Sequence, residues 1–314
     1  MDRRKLVHTL VLFSLPVIVA WYGFSVAGAI ALVILALAWR WAITLSLFVA
    51  PPGIPDLELE TIAASHFVEK VRWCMDRLRL EYREKESGGI LGVLFTGRTV
   101  PRLRMRTGIV RSEIGNSAEI LRYLWGRYGH EAGDDARFLA PTAERVEMEQ
   151  RIDRYGAHLQ VWVYHHILDE PELAMRAWGR YSSASPAWQR SLMPVLFPVY
   201  RLFLRRAFRI TDKRYEKTVQ RIDAFLADVE ALLDDGRRSI LGDDDTTYVD
   251  ITFAAISSLW MRPAGFGAGR ADSVLIDPAD FPEDMRADIE RWRDRFPLAF
   301  ALVERLYREE RDSG

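Results

Sequence analysis

Residues 57–80, LELETIAASHFVEKVRWCMDRLRL, change their apolar period in mid-stretch, and the rest of the chain is organised around that change. Through Leu57, Leu59 and Thr61 apolar and polar residues alternate as in a strand; beyond Ala63-Ala64-Ser65 the apolar positions Phe67, Val71, Cys74, Met75 and Leu78 recur at helical spacing. A strand therefore turns into a helix, and Ser65 sits on the turn. Serine suits a helix start, where four amides lack partners, and the same geometry offers an anion exposed N–H donors and a positive dipole end. The turn that starts the helix is thus also a place to hold a thiolate.

Three further signals follow in order. Thr99-Val100-Pro101-Arg102-Leu103 puts a proline at the mouth of a strand, and residues 108–112 (GIVRS) read as the next strand. Asn116 and Glu119 stand at capping-box spacing at the start of a helix through Ile120, Leu121 and Leu124. Thr247 and Asp250 repeat that spacing ahead of a strongly apolar helix.

In this order the set resembles the cytosolic glutathione transferases, through the SxFxxKVRW helix, the VP turn, the S-x-x-I-L-x-Y-L helix and the T-x-x-D-I-x-F-A cap. The resemblance covers residues 57–308 and implies an α+β chain: a thioredoxin-like β-α-β-α-β-β-α domain at 57–128, a linker at 129–141 and an all-helical domain at 142–314. It also implies glutathione as cosubstrate, no metal, a lipophilic small molecule as second substrate, and a homodimer.

The amino terminus adds a different element. Residues 6–49 carry Arg40 as their one side chain ionised at neutral pH, and as a single helix would reach about 66 Å, twice a bilayer's hydrocarbon thickness. Gly23, Ser25 and Gly28 supply a break, so residues 1–50 read as a membrane hairpin, with Trp39-Arg40-Trp41 at headgroup level. Arg3, Arg4 and Lys5 orient it with the globular domains on the cytoplasmic side and against membrane lipids, and the Pro-rich stretch 51–56 links it to them.

Composition excludes other classes. With 43 basic and 44 acidic residues the net charge of -1 argues against a general affinity for nucleic acid. The single cysteine, Cys74, rules out an internal disulfide framework and reads as a small core residue. His158, His165 and His166 share a helix without the spacing of a metal motif, so packing and surface roles are expected of them.

Candidate site residues follow from the residues and the resemblance together. Ser65 is the candidate hydroxyl for the thiolate, with plain helix capping as its alternative; His66 either touches the sulfur site or is a half-exposed turn residue. Pro101 matches the family's cis proline, whose preceding residue, here Val100, offers its backbone to the cysteinyl part of glutathione. Ser117 matches the position that receives the γ-glutamyl carboxylate, and Asn116 stands where relatives carry Glu or Asp. Among Arg98, Arg102, Arg104, Arg106 and Arg111, one or two would clamp the glycyl carboxylate, Arg102 foremost, unless they form a solvated strand face. Residues 192–217, basic and apolar, read as a headgroup-docking helix or as a bundle helix with a charged outer face, interrupted by Pro194 and Pro198. The two functional readings are a membrane-anchored glutathione transferase and a non-catalytic membrane scaffold of transferase-like fold.

Overall fold

The computed structural model describes residues 14, 18, 22, 25–48, 53–86, 100–108 and 110–311. The chain divides into two compact units, Met1–Asp56 with Met105–Ser112, and Leu57–Arg104 with Glu113–Gly314.

In the first unit, helix α1 (Val26–Phe48) exposes Val26, Ile34, Leu35, Trp39 and Trp41. Arg106 pairs with Asp56 at 2.7 Å in the same unit. The membrane location expected from the apolar amino terminus is overturned here: among the described residues no helix is long and apolar enough to cross a membrane. A span needs about 20 predominantly apolar residues in one helix, and no helix among the described residues supplies it. The hairpin's first leg lies mostly outside the described residues. With the membrane location goes the cytoplasmic-side orientation that was drawn from it.

Next along the chain comes a small sheet, and helices make up most of the second unit. Strands β1 (Asp56–Thr61), β2 (Tyr82–Glu86), β3 (Arg102–Thr107) and β4 (Val110–Gly115) run in the order β2-β1-β3-β4. β1 and β2 are parallel, with Leu57 opposite Tyr82 and Thr61 opposite Glu86. Parallel neighbours need a crossover, and α2 (His66–Arg77) supplies it, as the change of period at residues 61–65 predicts. The second helix expected before β3 falls on residues 87–99, outside the described residues.

Helix α3 (Ser117–Ala132) follows β4, then a 3-10 turn at Gly133–Leu139. The stretch expected as a linker from residue 129 therefore begins as helix; Tyr128, Ala136, Phe138 and Leu139 are buried there, which holds the backbone in place. Helices α4 (Ala143–Ile167), α5 (Pro171–Ala177), α6 (Ala187–Ala207), α7 (Asp212–Leu233), α8 (Tyr248–Met261), α9 (Glu283–Arg295) and α10 (Pro297–Leu306) complete the chain. Together with the sheet they make a mixed α+β architecture, consistent with the expected fold class.

α6 is continuous through Pro194 and Pro198, against the expected interruption. Its buried stripe, Met193, Phe197, Tyr200 and Leu204, has helical spacing, and packing at several side chains outweighs the roughly 3 kcal/mol that an interior proline costs.

α8 is the centre of the unit and packs on α2, α4 and α10. Its capping box is complete: the Thr247 hydroxyl accepts from Val249 N–H, and Asp250 accepts from Thr247 N–H at 2.8 Å. Around it Trp162, Trp260 and Trp292 are fully buried, with ring centroids 5.0 Å apart for Trp162–Trp292 and 5.4 Å for Trp260–Trp292. The indole N–H of Trp260 donates to the Tyr155 hydroxyl at 2.7 Å, so the polar edge of this aromatic core is satisfied.

Candidate functional site

Ser65 is the N-cap of α2, with extended backbone at φ -76 and ψ 120, and its carbonyl accepts from Val68 and Glu69 N–H at 3.0 Å. Its side chain makes no capping hydrogen bond. The plain capping role is therefore not what the hydroxyl does; Ser65 is half-buried and lines a pocket of about 410 Å³.

That pocket is apolar for most of its lining, with Val163, Ile167, Trp178, Phe208, Ile276 and Phe281 among its walls. Val100 lines it beside Ser65 and His66, and the Val100–Pro101 peptide bond is cis. Its size and character suit one small lipophilic molecule. A larger cleft of about 760 Å³ near the α8 cap is polar, and two of its arginines already have partners, Arg77 with Glu310 at 2.6 Å and Arg145 with Asp243 at 2.7 Å.

His66 is not a half-exposed turn residue. It is the first residue of α2, 5 % exposed, and burial lowers its pKa to about 3 against a weaker upward pull from a hydrogen bond to the Gly156 backbone. It is neutral at physiological pH, and Nε2 has no hydrogen-bond partner among the described residues. Gly156 makes the approach possible: a Cβ there would lie 3.1 Å from both the Phe67 ring and Ile256. Missing a side chain, α4 comes close enough to bury the turn.

The charges behind the turn are neutralised. Lys70 contacts Glu149 at 2.7 Å and Asp153 at 3.1 Å, while Glu69 is paired with Arg72 and Arg311 at 2.8 Å each. The amino end of α2 thus keeps its dipole without a net charge from its own first turns. Cys74 lies inside the helix, fully buried, with its thiol pushed up to about 12 by burial, which removes it as a nucleophile.

At the start of α3, Asn116 is the exposed N-cap, and its Oδ1 accepts from Ala118 N–H at 2.9 Å. Its φ of 75 is in the region that favours glycine, tolerated by asparagine more than by most residues. Ser117 is buried at the first helical position.

Arg102 is already engaged: it forms an ion pair with Glu113, and Nε lies 4.0 Å from Glu60. Arg104 is shared among Glu58 at 3.1 Å, Glu60 at 2.7 Å and Glu113 at 3.1 Å. Both arginines serve cross-strand pairing, so a ligand carboxylate would have to displace a glutamate. Arg111 is exposed, and Arg98 lies outside the described residues. Ser65, His66 and Val100 therefore share one pocket, whereas Asn116, Ser117 and Arg102 are not among its lining residues.

Sequence reasoning missed Arg262, Gln160 and Tyr164, which also line the pocket. The available signal for Arg262 was a lone basic residue directly after a mostly apolar helix. No group of histidine, cysteine or acidic residues that could hold a metal occurs among the described residues.

No protein-family model and no curated protein matches the sequence. Solved structures similar to this chain include glutathione S-transferases. One from Methylobacterium radiotolerans, in complex with glutathione sulfonate, is 15% identical over 82% of this chain and 94% of its own, with a TM-score of 0.49. One from Methylobacillus flagellatus, with glutathione bound, is 13% identical over 79% of this chain and 93% of its own, TM-score 0.48. A glutathione transferase family member from Pseudomonas fluorescens with two glutathione molecules is 16% identical over 84% of this chain and 98% of its own, TM-score 0.40.

Proposed function

We propose that this chain is a glutathione transferase that adds the glutathione thiolate to a lipophilic electrophile. The observation that carries the reading is Ser65: its side chain makes no capping hydrogen bond, it stands at the amino end of α2, and it lines the apolar pocket that Val100 also lines. A free thiol titrates near pH 8.5, and stabilising its anion by about 2 kcal/mol lowers that value by about 1.5 units. A hydroxyl donor together with a helix amino end supplies an energy of that order.

In this reading Val100 offers its backbone to the cysteinyl part, and Asn116 with Ser117 receives the γ-glutamyl end at the start of α3. The electrophile occupies the apolar pocket. The thiolate forms the new carbon–sulfur bond, and a halide leaves an aryl substrate with its bonding electrons; the thiol proton has already gone to water. The assembly carried by this reading is a homodimer.

The test is retention of the full chain on immobilised glutathione, with conjugation of an aryl halide measured beside it. The expected result is retention, turnover, and a kcat/KM lower by about tenfold to a hundredfold in Ser65→Ala, the range for one lost charged hydrogen bond. Neither retention nor turnover in the unaltered chain would remove the transferase reading and leave a non-catalytic scaffold.

A further inference from the structure

The pocket that Ser65 lines holds a cation without a counter-ion. Arg262 is the C-cap of α8, lines the apolar cavity, and among the described residues has no acidic partner. Its side-chain contacts are the Ile276 carbonyl, which accepts from it at 3.2 Å, and the ring of Phe281 at 6.0 Å. No other residue lining the cavity is charged: none is acidic, and His66 is neutral. Burial lowers the guanidinium to about 10, which leaves it ionised at neutral pH.

Arg262 is half-buried, and a cation partly withdrawn from water costs free energy unless an anion meets it; most arginines detailed above have found a carboxylate within this same chain. One carbonyl uses one of five N–H donors in the guanidinium fork. The remaining face suits a planar oxyanion, which a guanidinium binds through two parallel hydrogen bonds. The rest of the cavity excludes a strongly polar ligand body.

We propose that the second substrate is a lipophilic organic acid, an aryl or medium-chain alkyl carboxylate whose carboxylate is bound by Arg262 and whose apolar body fills the cavity beside Ser65. This rests on the transferase reading for the word substrate, but not for the binding.

Binding is therefore tested without glutathione, by titrating naphthylacetate and its neutral amide into the full chain and following calorimetric heat. The acid should bind at least about tenfold tighter than the amide, the effect of one charge-assisted hydrogen bond or more. Arg262→Met should remove that preference while leaving amide affinity as it was, and Arg262→Lys should keep part of it. Equal affinity for acid and amide in the unaltered chain, or binding of neither, overturns the proposal whether or not the variants fold. An equal loss of both ligands in a folded Arg262→Met also overturns it, since the arginine would then be a wall of the cavity only. A second arm compares an aryl halide bearing a carboxylate with its carboxamide in glutathione conjugation, where the acid should show the lower KM. Acid preference without any turnover would refute the transferase and leave the carboxylate site standing.

Discussion

Arg311 donates through Nε to Glu69 at 2.8 Å, with both side chains almost fully buried, so the end of the helical half is fastened to the first turn of the helix that Ser65 begins. The same guanidinium reaches Asp76 at 2.9 Å, about two turns further along the same face of the helix. Removing it leaves Glu69 with Arg72 as its remaining cation. Breaking a buried pair strands a charge, so Arg311→Met should cost about 3 kcal/mol, read from urea unfolding; Glu69→Gln added to it should recover part of the loss.

The cap of α8 gives a second expectation. Asp250 accepts from Thr247 N–H at 2.8 Å, from the Thr247 hydroxyl at 2.9 Å and from Ile240 N–H at 2.8 Å. Asp250→Ala leaves three buried donors unmatched and should cost about 2 to 4 kcal/mol, with a lower thermal midpoint. Asp250→Asn should cost less.

Stability against pH should carry the mark of His66. Its folded pKa is depressed to about 3 from 6.5, so the folded chain binds the proton less readily than the unfolded one. The contribution is full above the unfolded value and is lost as pH falls through the window between the two. At about 1.4 kcal/mol per unit the loss approaches about 5 kcal/mol at the acid end. Urea midpoints should fall between about pH 6 and about pH 4, and His66→Phe should flatten that slope.

At Asn116 backbone and cap make opposite demands. Asn116→Ala loses the cap to Ala118 and keeps the positive φ, at about 2 kcal/mol; Asn116→Gly loses the cap alone and should cost a few tenths. If the γ-glutamyl ammonium is received here, Asn116→Asp should tighten glutathione binding by about tenfold, since a charged acceptor replaces a neutral one. Calorimetric titration checks it.

The sequence made the sheet half legible wherever period and punctuation coincide. The switch at residues 61–65, the proline at residue 101 and the caps at Asn116 and Thr247 each have a local cause, and each stands at the start of an element. What could not be read locally depends on packing. Nothing near Pro194 says that Met193, Phe197 and Tyr200 would hold α6 straight, and nothing near His66 says that Gly156 would let another helix cover it. The apolar amino terminus misled for a related reason: an apolar run gives composition and length, and among the described residues no helix long and apolar enough to cross a membrane forms from it. Arg102 looked available because its glutamate partners come from neighbouring strands, Glu60 on β1 and Glu113 on β4.

The most direct test of the account is the thiol pKa of bound glutathione, followed by the ultraviolet absorbance of the thiolate as pH is raised, in the unaltered chain and in Ser65→Ala. The prediction is an apparent value about one to two units below the free thiol's, moving back toward about 8.5 when the hydroxyl is removed. A thiolate that titrates at the free value, or a lowered value that Ser65→Ala leaves unchanged, would contradict it.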